Sequence, residues 1–311
     1  MRLNANMLVV YFLALCVGVT YILMGPNGVD LDYYAKVSPH YERFYFYREL
    51  LSWSIIDFLN NFDQTGTLIA FFMANLLFIS TIYFSRMLTG NMVIAVLTSM
   101  LLTYSNFYLL LSVNGLRQGI SLIFLLISCY FFYKGAKFYV FTFCMAVLSH
   151  NSALVFLPIF LIKSGRHTLF LLVCVAVIFA GEFLSGIAAK NNNPSPLMNK
   201  AAFLILSSFI LVIALFHRLT NKFDRSQLGL ANYVVVSQVY LYSIGLAFYE
   251  TGFIYERLVY TLVPLMIVYT NFWLNFYRPK VHFLFLYSLL IIFSITYSIT
   301  HPSVTNNFKF L

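Results

Sequence analysis

The 311-residue sequence contains very little charge, because 19 basic and 10 acidic residues together make up only 9% of it. A water-soluble domain carries about 25% charged residues, since its surface must be solvated. Hydrophobic residues make up 61% of this chain and aromatic residues 19%. Such a chain cannot cover a globule in water, and a lipid bilayer accepts an apolar surface. The composition therefore predicts an integral membrane protein.

Several chemical signatures are also missing. The sequence has no Gly-rich nucleotide loop, no H-E-x-x-H motif and no G-x-S-x-G motif. Its 4 cysteines lie inside apolar runs without C-x-x-C spacing, so we predict neither a disulfide framework nor thiol chemistry. The net charge is +9, and the charged residues are scattered singly between apolar runs and form no basic stripe. Nucleic acid is therefore not an expected partner.

Long apolar runs predict the fold. A helix needs about 20 apolar residues to cross a hydrocarbon core of about 30 Å. The runs are apolar on all sides and do not alternate with polar residues as barrel strands would. We predict an all-α polytopic membrane protein that forms a single membrane domain over 1–311. Its nine predicted transmembrane helices cover 7–24, 67–84, 91–113, 115–133, 168–189, 201–217, 228–249, 258–277 and 281–300.

The segment 138–162 is divided by the polar triplet His150-Asn151-Ser152. As a tenth span it would carry this triplet at mid-membrane, whereas a re-entrant helical hairpin would place it in a polar cavity. The positive-inside rule favours the hairpin. With a hairpin, the Lys and Arg residues outside the loop 25–66 divide eleven to five between the two sides of the membrane, whereas with a tenth span they divide evenly. The eleven on the cytoplasmic side are Arg2, Arg86, Lys134, Lys137, Lys163, Arg166, Arg218, Lys222, Arg225, Arg278 and Lys280, and the five outside are Arg117, Lys190, Lys200, Arg257 and Lys309.

This orientation makes 25–66 a long external loop that is rich in carboxylates. Asp30-Leu31-Asp32 has the D-x-D spacing by which many sugar transferases hold a metal-bound diphosphate. Because this spacing is common by chance, we predict no metal site and retain Asp30 and Asp32 as candidate proton acceptors. Arg48 and Glu49, in the same loop, are either ligand contacts or interfacial charges.

Three further positions on the external side carry candidate chemistry. Arg117 offers a guanidinium fork that suits a phosphate or diphosphate, although an arginine there also suits lipid phosphates. His150 has an imidazole whose titration near neutrality suits proton transfer, and the alternative is a structural hydrogen bond between helices. Glu256 and Arg257 add a second external arginine, or else simple interfacial charges.

Two motifs carry a family resemblance. Asn114-Gly115-Leu116-Arg117-Gln118-Gly119-Ile120 opens a membrane helix, and Ser149-His150-Asn151-Ser152-Ala153 precedes an apolar piece with Pro158. This pair of motifs resembles the EpsG family of polysaccharide polymerases, which are related in role to the Wzy-type O-antigen polymerases. The weaker similarities are Gly28-x-Asp30-x-x-Tyr33, Glu49 before an apolar stretch, and Glu256-Arg257-Leu258 at the start of a late helix.

The resemblance implies a membrane glycosyltransferase at the periplasmic face of a bacterial inner membrane. It would join undecaprenyl-diphosphate-linked repeat units into an O-antigen or exopolysaccharide, with no metal or cofactor, and a chain-length regulator is a further candidate partner. Arg117 and Arg257 would stabilise the diphosphate leaving group, and His150, Asp30 or Asp32 would accept the proton. The remaining substrate contacts would be Gln118, Glu256, Arg48, Glu49, Asn151 and Tyr33.

Two other classes of function compete with this hypothesis. A lipid-linked glycan flippase or other transporter should show paired repeats and charges along a route to both faces. The sequence has no clear internal repeat, and its cavity-type charges lie on one predicted side. A membrane O-acyltransferase would also use an intramembrane histidine, but it would need access to an acyl donor at the inner face.

Overall fold

The computed structural model describes residues 5–26, 31, 49–162, 172, 175, 176, 179, 200–249 and 253–274. These residues are overwhelmingly helical, and they include no β-strand. The chain divides into two compact units, one formed by 1–153 with 279–311 and the other by 154–278. The all-α class and the membrane character predicted from composition are confirmed.

The first unit contains seven described helices. They are α1 (Ala5–Leu23), α2 (Leu50–Asn60), α3 (Thr67–Thr89), α4 (Met92–Thr103), α5 (Asn106–Val113), α6 (Leu116–Tyr133) and α7 (Phe138–Ser149). Helix α3 packs against α1, α4 and α6, and α6 packs along α7, while the short α2 lies against α6 and α7. The short loops between α3 and α4 and between α6 and α7 turn at Gly90 and Gly135, both at positive φ. Such turns make sequential helices neighbours.

Small polar side chains join these helices. Ser99 Oγ donates to the Phe78 carbonyl at 2.7 Å, and Ser121 Oγ donates to the Ala146 carbonyl at 2.9 Å. Ser128 and Thr142 share a hydrogen bond of 2.7 Å between α6 and α7. In an apolar environment, small residues allow close helix approach and hydrogen bonds of this kind hold the pairs together.

Gly119 allows the backbones of α5 and α6 to touch. A Cβ at this position would lie 2.8 Å from the Leu111 carbonyl oxygen and 2.4 Å from Met73 Cε. Any larger side chain would therefore push α6 away from α5, which carries Leu111, and from α3, which carries Met73. The contact lies half a turn beyond Arg117, and it helps to fix the position of that part of α6.

The segment 91–113 is not the single straight span that its hydrophobicity predicts. Helices α4 and α5 are bent by 62° at a short break. The Thr103 carbonyl at this break accepts a hydrogen bond of 2.5 Å from Tyr21 OH, and Ser105 Oγ donates to the Leu102 carbonyl. Backbone groups that a break frees within a membrane must find such partners. The predicted crossing over 91–113 is therefore bent into two helices, and its count as one span stays a prediction.

The second unit contains a 3₁₀ segment (Asn151–Phe156, which begins in the first unit), α8 (Leu157–Leu161), α9 (Lys200–Thr220), α10 (Arg225–Ala247) and α11 (Phe253–Leu274). Helices α9, α10 and α11 pack against one another. Gln238 of α10 accepts a hydrogen bond from Trp273 Nε1 at 3.1 Å and donates to Thr270 Oγ1 at 3.1 Å. Tyr240 OH donates to the Val155 carbonyl at 2.5 Å, which attaches α10 to the 3₁₀ segment.

Four described helices are long and apolar enough to cross a membrane, or five if α4 and α5 count as one bent span. The apolar parts of α1 and α9, Met7–Leu23 and Leu204–Thr220, fall just short of that length. The predicted spans 168–189 and 281–300 lie outside the described residues, apart from four isolated positions in the first. The count of nine thus stays a prediction. The break at His150 is confirmed, since α7 ends at Ser149, while the re-entrant path stays a prediction.

Asp63 caps the N-terminal end of α3. Its carboxylate accepts hydrogen bonds from the Leu68 amide at 2.7 Å and from the Thr65 amide and hydroxyl at 2.9 and 2.6 Å. Burial opposes ionisation of this carboxyl, but these hydrogen bonds outweigh burial and lower the pKa of Asp63 from its ordinary value of 3.8. The ionised group therefore stabilises the start of α3.

We expect Asp63→Asn to lower the stability of the protein at pH 7 by about 1 kcal/mol, because asparagine keeps one acceptor oxygen but loses the charge and the second acceptor. Because the folded-state pKa is depressed, the advantage of the wild type is complete above the unfolded-state pKa. It disappears as the pH falls through the lower folded-state pKa. Thermal unfolding of both proteins in detergent at several pH values measures this difference. A stability difference between the wild type and Asp63→Asn that stayed constant down to pH 2 would contradict the role assigned to the Asp63 carboxylate.

Candidate functional site

Three charged or titratable side chains that are distant in sequence meet in the first unit. Arg117 Nη1 donates to Glu49 Oε2, and His150 Nε2 lies 3.4 Å from the other oxygen of the same carboxylate. The side chains of Arg117, Glu49 and His150 are 21%, 10% and 11% exposed. The three side chains therefore lie near the protein surface but are largely shielded from solvent.

Helix α2 brings Glu49 to this position. The buried residues of α2 are Ser52, Trp53, Ile56 and Leu59, which share one helical face. Glu49 directly precedes the helix and has φ 61° and ψ 35°. This left-handed conformation is uncommon for a residue with a side chain, and it typically occurs where the surroundings hold the residue in place.

The first turn of α6 carries Arg117. Besides its bond to Glu49, its guanidinium carbon lies 5.4 Å from the centroid of the Trp53 ring, at a distance typical of a cation–π contact. Trp53 is fully buried. Since Glu49 and Trp53 lie one turn apart on α2, this helix holds the guanidinium through both charge and ring.

His150 follows the last residue of α7 and has an extended backbone. Its Nδ1 accepts a hydrogen bond from the Ser152 amide at 3.2 Å and lies 2.6 Å from Ser152 Oγ. The preceding carbonyl, that of Ser149, accepts a hydrogen bond of 2.8 Å from Ser52 Oγ of α2. The end of α7 is therefore attached to the same short helix that supplies Glu49 and Trp53.

Two amide side chains flank Arg117 in sequence. Gln118 is 5% exposed, and within the described part of the chain its Nε2 has no hydrogen-bond partner. Asn114 Oδ1, one turn earlier, is also buried and has no partner among the same residues. One donor and one acceptor thus remain unsatisfied near the start of α6, where a polar substrate group could pair with them.

The structure brings together Arg117, His150 and Glu49 of the predicted site. Asn151 lies beside His150 and is exposed, and Gln118 is buried in α6. Glu256 and Arg257 lie near the start of α11 in the second unit, and the side chain of Glu256 lies outside the described residues, as do Asp30, Asp32, Tyr33 and Arg48.

Sequence reasoning did not identify Trp53, Ser52 or the role of Ser152 towards Nδ1. A signal for α2 was present, because Ser52, Trp53, Ile56 and Leu59 repeat at the spacing of one helical face. Their place in a long loop with many charges concealed that spacing. Glu49 was expected only to contact substrate, whereas it connects the arginine to the histidine.

The cluster has the components of a group-transfer site. Arg117 can stabilise developing negative charge, the Glu49 carboxylate can accept a proton, and His150 can donate or accept a hydrogen bond. These groups converge from three separate helices, so tertiary packing sets their geometry. Packing of this kind preorganises charges before a substrate arrives.

Comparisons with known proteins agree with the motifs. The family model described as EpsG family matches residues 6–311, which is nearly the whole chain. No curated protein and no solved structure matches this sequence.

Proposed function

Because the chain belongs to the EpsG family of polysaccharide polymerase-like membrane proteins, we propose that it is a glycosyltransferase that polymerises a surface polysaccharide. Its substrates are oligosaccharide repeat units linked to undecaprenyl diphosphate. The reaction occurs at the periplasmic face of a bacterial inner membrane. The contact of Glu49 with both Arg117 and His150 is the observation that most supports this proposal.

The proposed reaction requires only the two glycans, the diphosphate and the side chains of the cluster. A hydroxyl oxygen of the acceptor glycan attacks the anomeric carbon of the donor glycan. The bond from that carbon to the diphosphate oxygen breaks, and its electron pair stays on the diphosphate. The hydroxyl proton passes to a base in the cluster. Arg117 stabilises the diphosphate as its charge develops, through a guanidinium that remains ionised at any relevant pH.

The apolar exterior suits lipid-linked substrates. Helices α1, α7 and α9 expose rows of large hydrophobic side chains, among them Phe12, Phe141 and Phe209. A polyprenyl tail can remain in the bilayer against such surfaces while the glycan reaches the polar cluster. Arg257 is the second arginine that we propose for the diphosphate, because one positive charge neutralises only part of such a group.

Reconstitution tests the proposed function. The purified protein in phospholipid vesicles, given the lipid-linked repeat unit of its host, should produce a ladder spaced by one repeat unit. One undecaprenyl diphosphate should be released for each linkage formed, and EDTA should leave the ladder unchanged. Lys134→Ala, at the opposite end of α6, is the control that should retain the wild-type ladder. Movement of intact repeat units across the vesicle membrane without any ladder would contradict the proposal and favour a transporter.

A further inference from the structure

The tautomer of His150 limits what its ring can do. The Ser152 amide donates to Nδ1 at 3.2 Å, and an amide N–H cannot accept a hydrogen bond. Nδ1 must therefore present its lone pair to Ser152, and the proton of the neutral ring lies on Nε2. Ser152 Oγ, at 2.6 Å from Nδ1, can donate to the same lone pair.

The Nε2–H of this tautomer faces Glu49 Oε1 at 3.4 Å. On the side that faces Glu49, the neutral ring thus presents an N–H donor and has no lone pair that could accept a proton. A substrate hydroxyl placed between His150 and Arg117 could not transfer its proton to Nε2. Transfer to Nδ1 would require Ser152 to move away first.

Among the described residues of the cluster, the Glu49 carboxylate is the anionic acceptor. A carboxylate has about four lone-pair positions. Arg117 uses one on Oε2, and the 3.4 Å contact of His150 Nε2 with Oε1 is longer than an ordinary N–H···O hydrogen bond. The contact with His150 alone therefore does not saturate Oε1.

We infer that Glu49 is the catalytic base of the proposed polymerase reaction and that His150 is a positioning residue. The acceptor hydroxyl transfers its proton to Glu49 as its oxygen bonds to the anomeric carbon and the bond to the diphosphate breaks. His150 orients the carboxylate through Nε2–H, and Ser152 holds the ring in that tautomer. This assignment rests on the proposed function and replaces His150 as the expected proton acceptor, while Asp30 and Asp32 lie outside the described residues.

Two charged or titratable groups contact Glu49 from helices packed on α2. They are Arg117 of α6 and His150 at the end of α7. Helix α3 also packs on α2 and carries no titratable side chain before Tyr83.

A pair of amide substitutions distinguishes the two possible bases. Glutamine in place of His150 keeps an N–H near the position of Nε2 but cannot accept a proton at neutral pH. We expect His150→Gln to retain polymerisation within about tenfold of the wild type in the vesicle assay. Glu49→Gln should lose about 100-fold or more, the usual contribution of a positioned proton acceptor. A Glu49→Gln protein with near wild-type activity, or a His150→Gln protein as inactive as Glu49→Gln, would overturn the assignment.

Chemical rescue tests the base independently of the amide substitutions, in variants whose unfolding temperature in detergent shows that they are folded. Glu49→Ala should regain activity when formate supplies a carboxylate, whereas His150→Ala should not respond to formate. Activity of Glu49→Ala that formate leaves unchanged would contradict the role of Glu49. If the wild-type protein itself makes no polymer, the proposed function fails and the assignment fails with it. If only the pattern of variants differs, the function stands and the base is another group.

Discussion

Arg117→Ala should abolish long polysaccharide, with a loss of polymerisation of at least about 100-fold. The guanidinium is the cation of the described cluster, and Glu49 and Trp53 hold it in place before substrate binds. Alanine removes the stabilisation of the diphosphate as it departs. Arg117→Lys should recover little activity, because an ammonium lacks the planar fork and stacks poorly on the indole. The ladder of lipid-linked glycans on a gel measures the effect.

Two controls separate this loss of chemistry from a loss of folding. Arg117→Ala leaves the largely buried Glu49 carboxylate without its arginine, which is itself destabilising. The double variant Arg117→Gln with Glu49→Gln removes both charges, so it should unfold near the wild-type temperature and remain inactive. Arg86→Ala, in the last turn of α3, should leave the ladder intact. A normal ladder from Arg117→Ala would refute the role of Arg117.

Trp53→Ala should have the largest effect on stability. The indole is fully buried in the face of α2 that packs on α6 and α7, and it also supports the guanidinium of Arg117. Truncating a buried aromatic side chain in this way costs about 3–5 kcal/mol. We expect a lower unfolding temperature in detergent and a loss of polymerisation, because α2 also carries Glu49. Trp53→Phe keeps most of the apolar area and a ring face, so it should be much milder.

Phe58→Ala is the matched control on the same helix. Phe58 is 61% exposed, and its ring contacts Phe62 at a centroid distance of 5.1 Å. Its truncation removes an aromatic ring from α2 without opening a cavity, so the stability should change by no more than about 0.5 kcal/mol. Equal destabilisation by Trp53→Ala and Phe58→Ala would mean that α2 does not pack as described.

The parts of the fold that follow from local patterns were predictable. The bounds of α6 and the end of α7 follow from continuous apolar runs. Gly115 and Lys134 bound the first run, and His150 ends the second. The polar triplet 150–152 predicted a break, because backbone and side chains of that polarity interrupt an apolar segment. The two motifs that carry the family resemblance lie at these same points.

The parts that depend on distant partners were not predictable. The bend between α4 and α5 has no proline, and the Thr103 carbonyl at that bend is satisfied by Tyr21, 82 residues away. Likewise, Glu49 was predicted as a substrate contact, but its contacts with Arg117 and His150 were not. Packing of α2 on α6 and α7 sets these contacts, and a pattern of single residues does not describe such packing.

The attachment of α2 to the end of α7 through Ser52 and the Ser149 carbonyl has a mechanical consequence. Glu49 directly precedes α2, Trp53 lies in its first turn, and Ser52 donates to the Ser149 carbonyl. A substitution that displaces α2 therefore displaces the carboxylate, the indole beside Arg117 and the anchor of His150 together. Damage to this one short helix should weaken all three contacts at once.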